Sequence, residues 1–194
     1  MIKRLTLLNK TILECLNSKN DAKVFKAFVG TKILGADFGF VWLNHPSPDG
    51  WKLEYKTSKL PFKPNIPRVN GRSYRAITSG KIDYVKNLKK VSDAVYVSKY
   101  MKSFVIIPIS YKEKVYGTIV LCFKKTEVFL DEKRIVSVFL GKVMAQVITF
   151  HRSRERAEKQ IETQLLLDQE KSRTEFIANA THELRTPLAI IKGN

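Results

Sequence analysis

The fold is decided by two neighbouring segments, Ser103-Phe-Val-Ile-Ile-Pro-Ile-Ser110 and Lys114-Val-Tyr-Gly-Thr-Ile-Val-Leu-Cys-Phe123. Both are strongly apolar and rich in Val and Ile, residues that favour β-strands. A short charged turn joins them. Because they are apolar on both faces, they predict two antiparallel strands in the centre of a sheet.

Other strands and several helices are predicted around this pair. The further strands are Phe38–Leu43, Trp51–Lys56 and Ile82–Val85, with a turn over His45–Gly50 that makes the first two a hairpin. The helices are Ile2–Leu16, Val24–Ile33, Ser73–Thr78 ending at Gly80, and Ser92–Met101. From Asp131 onward the helical composition continues without a proline until Pro187, which predicts one long helix. The fold class is therefore α+β, with an antiparallel sheet of about five or six strands flanked by helices and followed by a long C-terminal helix.

The composition excludes several classes of protein. No apolar stretch reaches the about 18 residues of a membrane span, and no signal-peptide core follows the basic start, so we expect a cytoplasmic protein without a transmembrane segment. Cys15 and Cys122 form no C-x-x-C pair, which argues against a disulfide scaffold and a cysteine zinc site.

The chain is strongly basic, with 35 Lys and Arg against 18 Asp and Glu and a formal net charge of +17. The first 125 residues hold 24 of these bases and 8 of the acids. Such a surface could attract nucleic acid or an anionic membrane. Because the charges are scattered singly and no Arg-rich recognition helix occurs, a solvated surface is the favoured interpretation, and no nucleic-acid partner is expected.

The order of the elements resembles a GAF domain over residues 1–150. The segment Asn70-Gly-Arg-Ser-Tyr-Arg-Ala-Ile-Thr-Ser-Gly-Lys-Ile-Asp-Tyr-Val85 is similar to the family's short helix and following strand. Ser103–Ile109 and Tyr116–Leu121 resemble its last two strands. The resemblance implies a GAF-like sensor domain, and some other α+β domain is the alternative.

A second resemblance lies in Phe176-Ile-Ala-Asn-Ala-Thr-His-Glu-Leu-Arg-Thr-Pro-Leu188, which is similar to the phosphoacceptor box of sensor histidine kinases. The seven residues from His182 to Leu188 match the core of that pattern, whereas Ala180 stands where a larger apolar residue is commoner. The resemblance implies ATP-dependent autophosphorylation of His182 and transfer to an aspartate of a response regulator. It also implies that Thr186 serves the reverse, phosphatase reaction by orienting a water molecule.

The residues of this box suit the chemistry on their own. Apolar residues share one helix face, which leaves His182 facing solvent; they are Phe176, Ala180, Leu184, Pro187 or Leu188, and Ile191. A neutral imidazole offers a nucleophilic nitrogen, and Glu183 can accept the proton of the other nitrogen as a general base. Thr186 follows His182 by one helical turn, and Pro187 loosens the helix there. A lone surface His beside a Glu would be an ordinary solvated pair. The complete run from His182 to Leu188 favours a phosphoacceptor function instead.

The resemblance also assigns the C-terminal segments. Residues 151–171 are a signalling helix or coiled-coil linker, and residues 172–194 are the start of the dimerisation and phosphoacceptor domain. A parallel homodimer formed by the Ile2–Leu16 helix and the helix from Asp131 onward is implied. Arg154, Asp168 and Ser172 in the heptad seam predict a weak coiled coil. ATP and Mg²⁺ belong to a catalytic domain beyond these residues. Since no phosphate-binding G-x-G-x-x-G or P-loop motif occurs, the 194-residue chain alone is expected to be inactive.

The ligand of the sensor is unknown from the sequence. Aromatic residues fall where a GAF pocket would be lined: Phe40, Trp42, Tyr55, Tyr74, Tyr84, Tyr96, Tyr100 and Phe104. We select Trp42, Tyr74 and Tyr96 as ligand-binding candidates, with a plain core role as the alternative. The lack of a Cys-His pair disfavours a covalent bilin, and no cyclic-nucleotide signature is recognisable. His45 and His151 have no companion ligands, so no metal is expected. A GAF module docking on nucleic acid or an anionic membrane is the alternative function.

Overall fold

The computed structural model describes residues 2–18, 21–29, 33–44, 50–91, 97–127 and 129–192. Four helices and five strands are found within these ranges, together with a 3₁₀ turn at Leu88–Lys90. The helices are α1 (Ile2–Leu16), α2 (Asp21–Val29), α3 (Arg72–Ser79) and α4 (Asp131–Lys192). The strands are β1 (Phe38–Asn44), β2 (Trp51–Lys56), β3 (Asp83–Val85), β4 (Ser103–Tyr111) and β5 (Lys114–Phe123). Most of the predicted turn at His45–Gly50 and half of the predicted helix at Ser92–Met101 lie outside the described residues.

The five strands form one antiparallel sheet in the order β2-β1-β5-β4-β3. The predicted central pair is confirmed, because β4 and β5 align from Ser103 opposite Phe123 to Tyr111 opposite Lys114. β5 pairs with β1 on its other side. The predicted α+β fold class, an antiparallel sheet with flanking helices and a long C-terminal helix, is therefore confirmed.

The sheet separates two hydrophobic cores. On one face, buried residues of α2 and α4 pack with the β4 side chains Val105, Ile107 and Ile109. On the other face, Phe104 and Ile106 pack with residues of α3 and of the segments around it. This alternation follows from the two-residue period of a strand, and it explains why the central strands are apolar throughout.

Two glycines allow backbone segments to approach closely. A Cβ atom on Gly141 of α4 would lie 2.3 Å from the carbonyl oxygen of Pro108, so the helix backbone rests directly on β4. A Cβ atom on Gly117 of β5 would lie 2.0 Å from the carbonyl oxygen of Trp42. Neither position has room for a side chain in this packing.

The two cysteines lie on opposite faces of the sheet, Cys15 in the core with α2 and α4 and Cys122 in the other. Both are free thiols. Burial raises the pKa of Cys15 to about 11, and the neighbouring Glu14 carboxylate adds to this rise. Burial also raises the pKa of Cys122, with a further contribution from Asp37. Both side chains are thus protonated and unreactive at neutral pH.

Helix α4 is the longest element and continues past Pro187 to Lys192. By length and composition alone, its segment Asp131–His182 could cross a membrane, but 56% of its most apolar window is buried inside the fold. A buried core helix of a water-soluble domain can have the same length and apolar composition, so the segment is weak evidence for a membrane span. By its contacts the chain divides into two compact units, Met1–His151 and Arg152–Asn194.

Candidate functional site

A cavity of about 570 Å³ lies on the α3 side of the sheet. Its apolar wall is formed by strand residues, namely Phe40, Phe104, Ile106 and Val120. The opposite wall comes from the segment Phe62–Arg68 and from the first residues of α3. Small-molecule sites span about 300–1,000 Å³, so this cavity has the size of a ligand site.

Local sequence explains how the second wall is held. Pro64 and Pro67 restrict the backbone of the segment that precedes α3. The helix follows Gly71 and ends at Gly80, which adopts the left-handed conformation with φ of 63°. The loop and the start of α3 therefore have defined positions above the sheet.

The charged residues among the described lining residues are two arginines, Arg68 and Arg72. Nη1 of Arg72 donates hydrogen bonds to the two carboxylate oxygens of Asp83, at 3.1 and 3.0 Å. Because Arg72 begins α3 and Asp83 begins β3, this ion pair ties the helix to the edge strand. The two side chains are about three-quarters buried, which strengthens the pair over a surface salt bridge.

Aromatic rings border the same cavity. The rings of Phe40 and Phe62 meet edge to face at a centroid distance of 6.3 Å. Phe62 also stacks on Tyr100, a residue that does not line the cavity, at a centroid distance of 6.1 Å. Rings in these arrangements provide flat, apolar surfaces for a planar ligand.

His182 lies on α4, and its side chain is exposed. Glu183 and Thr186 follow on the same helix, but their side chains lie outside what the structure describes. The predicted roles of these three residues remain predictions.

No protein-family model matches this sequence, and no curated protein matches it either. Solved structures do match. The GAF domain of a phosphoenolpyruvate-protein phosphotransferase from Coxiella burnetii superimposes with a TM-score of 0.66 at 15% identity, over 80% of this chain and 98% of that chain. This chain has the GAF fold. The corresponding domain from Acinetobacter gives a TM-score of 0.62 at 18% identity, over 78% of this chain and 95% of that chain.

The solved structure of an enzyme also matches. Free methionine-R-sulfoxide reductase from Neisseria meningitidis, solved in complex with its substrate, gives a TM-score of 0.67 at 14% identity. The match covers 78% of this chain and 91% of that chain. Identities this low establish the GAF fold alone, because one fold supports unrelated functions.

Two of the three predicted ligand-binding residues, Trp42 and Tyr74, are not found among the residues that line the cavity. Trp42 is only 5% exposed and belongs to the core beside the cavity, and Tyr74 of α3 is half-buried. By contrast, Phe40 and Phe104 from the wider aromatic set do line the cavity. Tyr96 lies outside the described residues.

The sequence patterns did not identify Arg68 and Arg72, which line the candidate cavity. The available signal was a pair of arginines on either side of the Asn70-Gly71 turn, directly before a predicted short helix. Both line the cavity because this turn lies at its border.

Metal-ligating residues are not grouped in the described parts of the chain, where no three His, Cys, Asp or Glu side chains come together. His151 is buried, and its Nε2 lies 3.2 Å from the carbonyl oxygen of Cys15. This contact joins α4 to the last turn of α1. His45 lies outside the described residues.

Proposed function

We propose that this chain is the sensory and phosphoacceptor part of a two-component histidine kinase. The observation that carries the proposal is the run His182-Glu-Leu-Arg-Thr-Pro-Leu188 on a helix that follows a GAF fold. Exposure of His182 supports it, because an ATP-binding domain and a response regulator must both reach the imidazole. A protein with these partners acts in the cytoplasm.

The proposed reaction uses three residues of α4. A ring nitrogen of His182 attacks the γ-phosphorus of ATP, the N–P bond forms, and the bond to the leaving ADP breaks. Glu183 accepts the proton from the other ring nitrogen. Phosphoryl transfer to a response-regulator aspartate follows, and Thr186 orients water for the reverse hydrolysis. In this proposal, ATP and Mg²⁺ would be held by the separate ATP-binding domain that the resemblance to histidine kinases implies.

The proposed sensory step is ligand binding in the cavity between α3 and the sheet. A ligand there contacts Phe104 and Ile106 of β4, while Val105 and Ile107 of the same strand pack on the side of α4. Strand β4 thus contacts both the ligand in the cavity and helix α4. This supports a sensor in which ligand binding changes the packing of α4.

We further propose that the chain forms a parallel homodimer through α4. Within the GAF fold, four large apolar side chains of α4 are exposed, with Ile135 at 65%, Phe150 at 47%, Val138 at 46% and Phe139 at 44%. Among the side chains that the structure describes in the second compact unit, the large apolar ones that are exposed are Ile161, Leu165, Leu166, Leu167, Phe176 and Ile177. A helix with this many exposed apolar residues gains stability by packing against a second copy.

The experiment uses the 194 residues together with the rest of the helical hairpin and an ATP-binding domain. Labelling from ATP should disappear in His182→Ala. Glu183→Gln should slow labelling by about 10²- to 10⁴-fold, the usual contribution of a general base. Thr186→Ala should keep autophosphorylation and lose dephosphorylation of the response regulator.

Two results would argue against these roles. Labelling of His182→Ala at the rate of the unchanged protein would remove the phosphoacceptor assignment. Equal loss of both activities in Thr186→Ala, with an intact fold by circular dichroism, would remove the phosphatase assignment. The 194-residue chain alone serves as the control and should show no labelling.

A second candidate function is docking of the GAF fold on nucleic acid or an anionic membrane. The observation in its favour is the excess of 24 basic over 8 acidic residues in the first 125. A salt-dependent mobility shift with duplex DNA, or co-sedimentation with anionic vesicles, would support it. Neither should occur at physiological salt if the charge is only a solvated surface.

A further inference from the structure

We infer that the cavity binds an organic anion, a molecule with an apolar body and an acidic head group that Arg72 and Arg68 bind. The inference rests on the proposed ligand-binding function of the cavity and specifies its ligand class. Its basis is the separation of apolar and charged residues along the cavity wall.

The strand side of the cavity accepts only an apolar group. Phe40, Phe104, Ile106 and Val120 are each between 3% and 8% exposed, and all four contribute side chains to the core beneath the cavity. A polar group placed against them would lose its hydrogen bonds to water without replacement. Ring surfaces from Phe40 and Phe62 favour a flat or aromatic body.

The opposite side of the cavity carries positive charge. Arg68 and Arg72 are the only ionisable side chains among the described lining residues, so no carboxylate there favours a cationic ligand. Guanidinium groups bind carboxylate, sulfonate and phosphate oxygens through paired hydrogen bonds. An anion with an apolar body satisfies both sides at once.

Asp83 acts as a positioning residue for Arg72. Its carboxylate holds Nη1 at 3.0 and 3.1 Å and fixes the guanidinium at the start of α3. An acidic ligand group therefore shares the guanidinium with Asp83. Binding then alters the ion pair that connects α3 to β3. Arg72 therefore contacts both the acidic group of the ligand and Asp83.

A matched pair of fluorescent dyes tests the inference on the full 194-residue chain. 1-Anilinonaphthalene-8-sulfonate has an aromatic body with a sulfonate, and N-phenyl-1-naphthylamine has the same body without charge. Arg72→Met and Arg68→Met should each weaken binding of the sulfonate dye by about tenfold or more, since charge-assisted hydrogen bonds are lost. Binding of the uncharged dye should stay within about twofold of its original value.

Two further variants control for surface charge and for the broken ion pair. Arg75→Met removes an exposed arginine from the same helix and should leave both dyes unaffected. Arg72→Met combined with Asp83→Asn removes both partners of the ion pair and should still weaken binding of the sulfonate dye. Thermal unfolding by circular dichroism establishes that each variant is folded.

The outcomes separate this inference from the proposed function. If the sulfonate dye binds equally well to the original chain and to both single arginine variants, the anion assignment is overturned while the cavity stays a candidate site for uncharged ligands. The inference is also overturned if the arginine variants weaken binding of both dyes equally. The arginines would then contribute to the shape of the cavity and not to recognition of a negative charge. If neither dye binds the original chain, the proposed ligand cavity fails together with the inference.

Discussion

Replacing Gly141 with alanine sets helix propensity against packing at the contact between α4 and β4. In an exposed helix, Gly→Ala stabilises by about 1 kcal/mol. Here the new Cβ would lie 2.3 Å from the carbonyl oxygen of Pro108, whereas ordinary contact begins at 3.4 Å. A backbone oxygen cannot rotate aside as a side chain can. Helix or strand must therefore move by about 1 Å.

Such a movement affects the most buried part of the GAF fold. Leu140, Met144 and Ala145 of α4 are all fully buried around Gly141. Overpacking of a core costs about 1–3 kcal/mol, and a backbone clash belongs in the upper half of that range. After subtracting the propensity gain of about 1 kcal/mol, Gly141→Ala should lower the free energy of unfolding by about 1–2 kcal/mol. For a domain of this size, that lowers the Tm by about 2–8 °C.

Urea and thermal unfolding followed by circular dichroism measure this change. The matched control is Gln146, an exposed residue of the same helix within the same compact unit. Gln146→Ala should be about 1 kcal/mol more stable than Gln146→Gly, which gives the propensity difference without a clash. If Gly141→Ala proves as stable as the original chain, or more stable, the close approach of α4 to β4 is refuted.

Three further predictions address the core, the thiols and the dimer. Trp42→Ala should lower the free energy of unfolding in urea by about 3–5 kcal/mol because the ring is buried, whereas Tyr74→Ala at a half-buried site should lower it by about 1 kcal/mol. Similar losses in the two variants would contradict the difference in burial between Trp42 and Tyr74. Because burial raises the pKa of Cys15 to about 11, the thiol ionises at a lower pH in the unfolded state than in the folded state, so the folded state should lose stability as the pH rises from about 9 to 11. The unfolding free energy of the original chain should therefore fall by about 3 kcal/mol relative to Cys15→Ala across that range, and parallel pH profiles would exclude the effect. Phe139→Asp should weaken self-association by about tenfold or more in sedimentation velocity, and Arg75→Asp on α3 is the charge control away from the α4 surface. A strictly monomeric original chain at high micromolar concentration would contradict the dimer.

Strand positions could be predicted from the sequence because each strand carries its own signal. β2 and β5 have the predicted bounds, and β1 and β4 extend one residue further than predicted. The end of α2 was predicted wrongly at Ile33, since the helix ends at Val29. Ile33 is 2% exposed without being helical, so apolar residues buried after the helix mimic its periodicity.

The candidate cavity was less predictable because its residues meet only in the folded chain. Strand alternation places Phe40 and Trp42 on the same face, but only Phe40 lines the cavity. No local pattern distinguishes the two, since the position of the cavity depends on where the Phe62–Arg68 segment crosses the sheet. The pairing of Arg72 with Asp83 likewise depends on how α3 packs beside β3. By contrast, the run around His182 is local and is read directly from the sequence.

The central position of β5 has a consequence for hydrogen exchange. This strand is bonded to β1 on one edge and to β4 on the other, and its side chains enter both cores, for example Leu121 in one and Val120 in the other. Local fraying of β5 would have to open two strand pairings and both cores together. Its amide protons should therefore exchange with deuterium only through global unfolding, while those of the edge strands β2 and β3 exchange through smaller openings. The exchange rate of β5 thus reports the stability of the whole fold, including any stabilisation by a ligand that touches only one face.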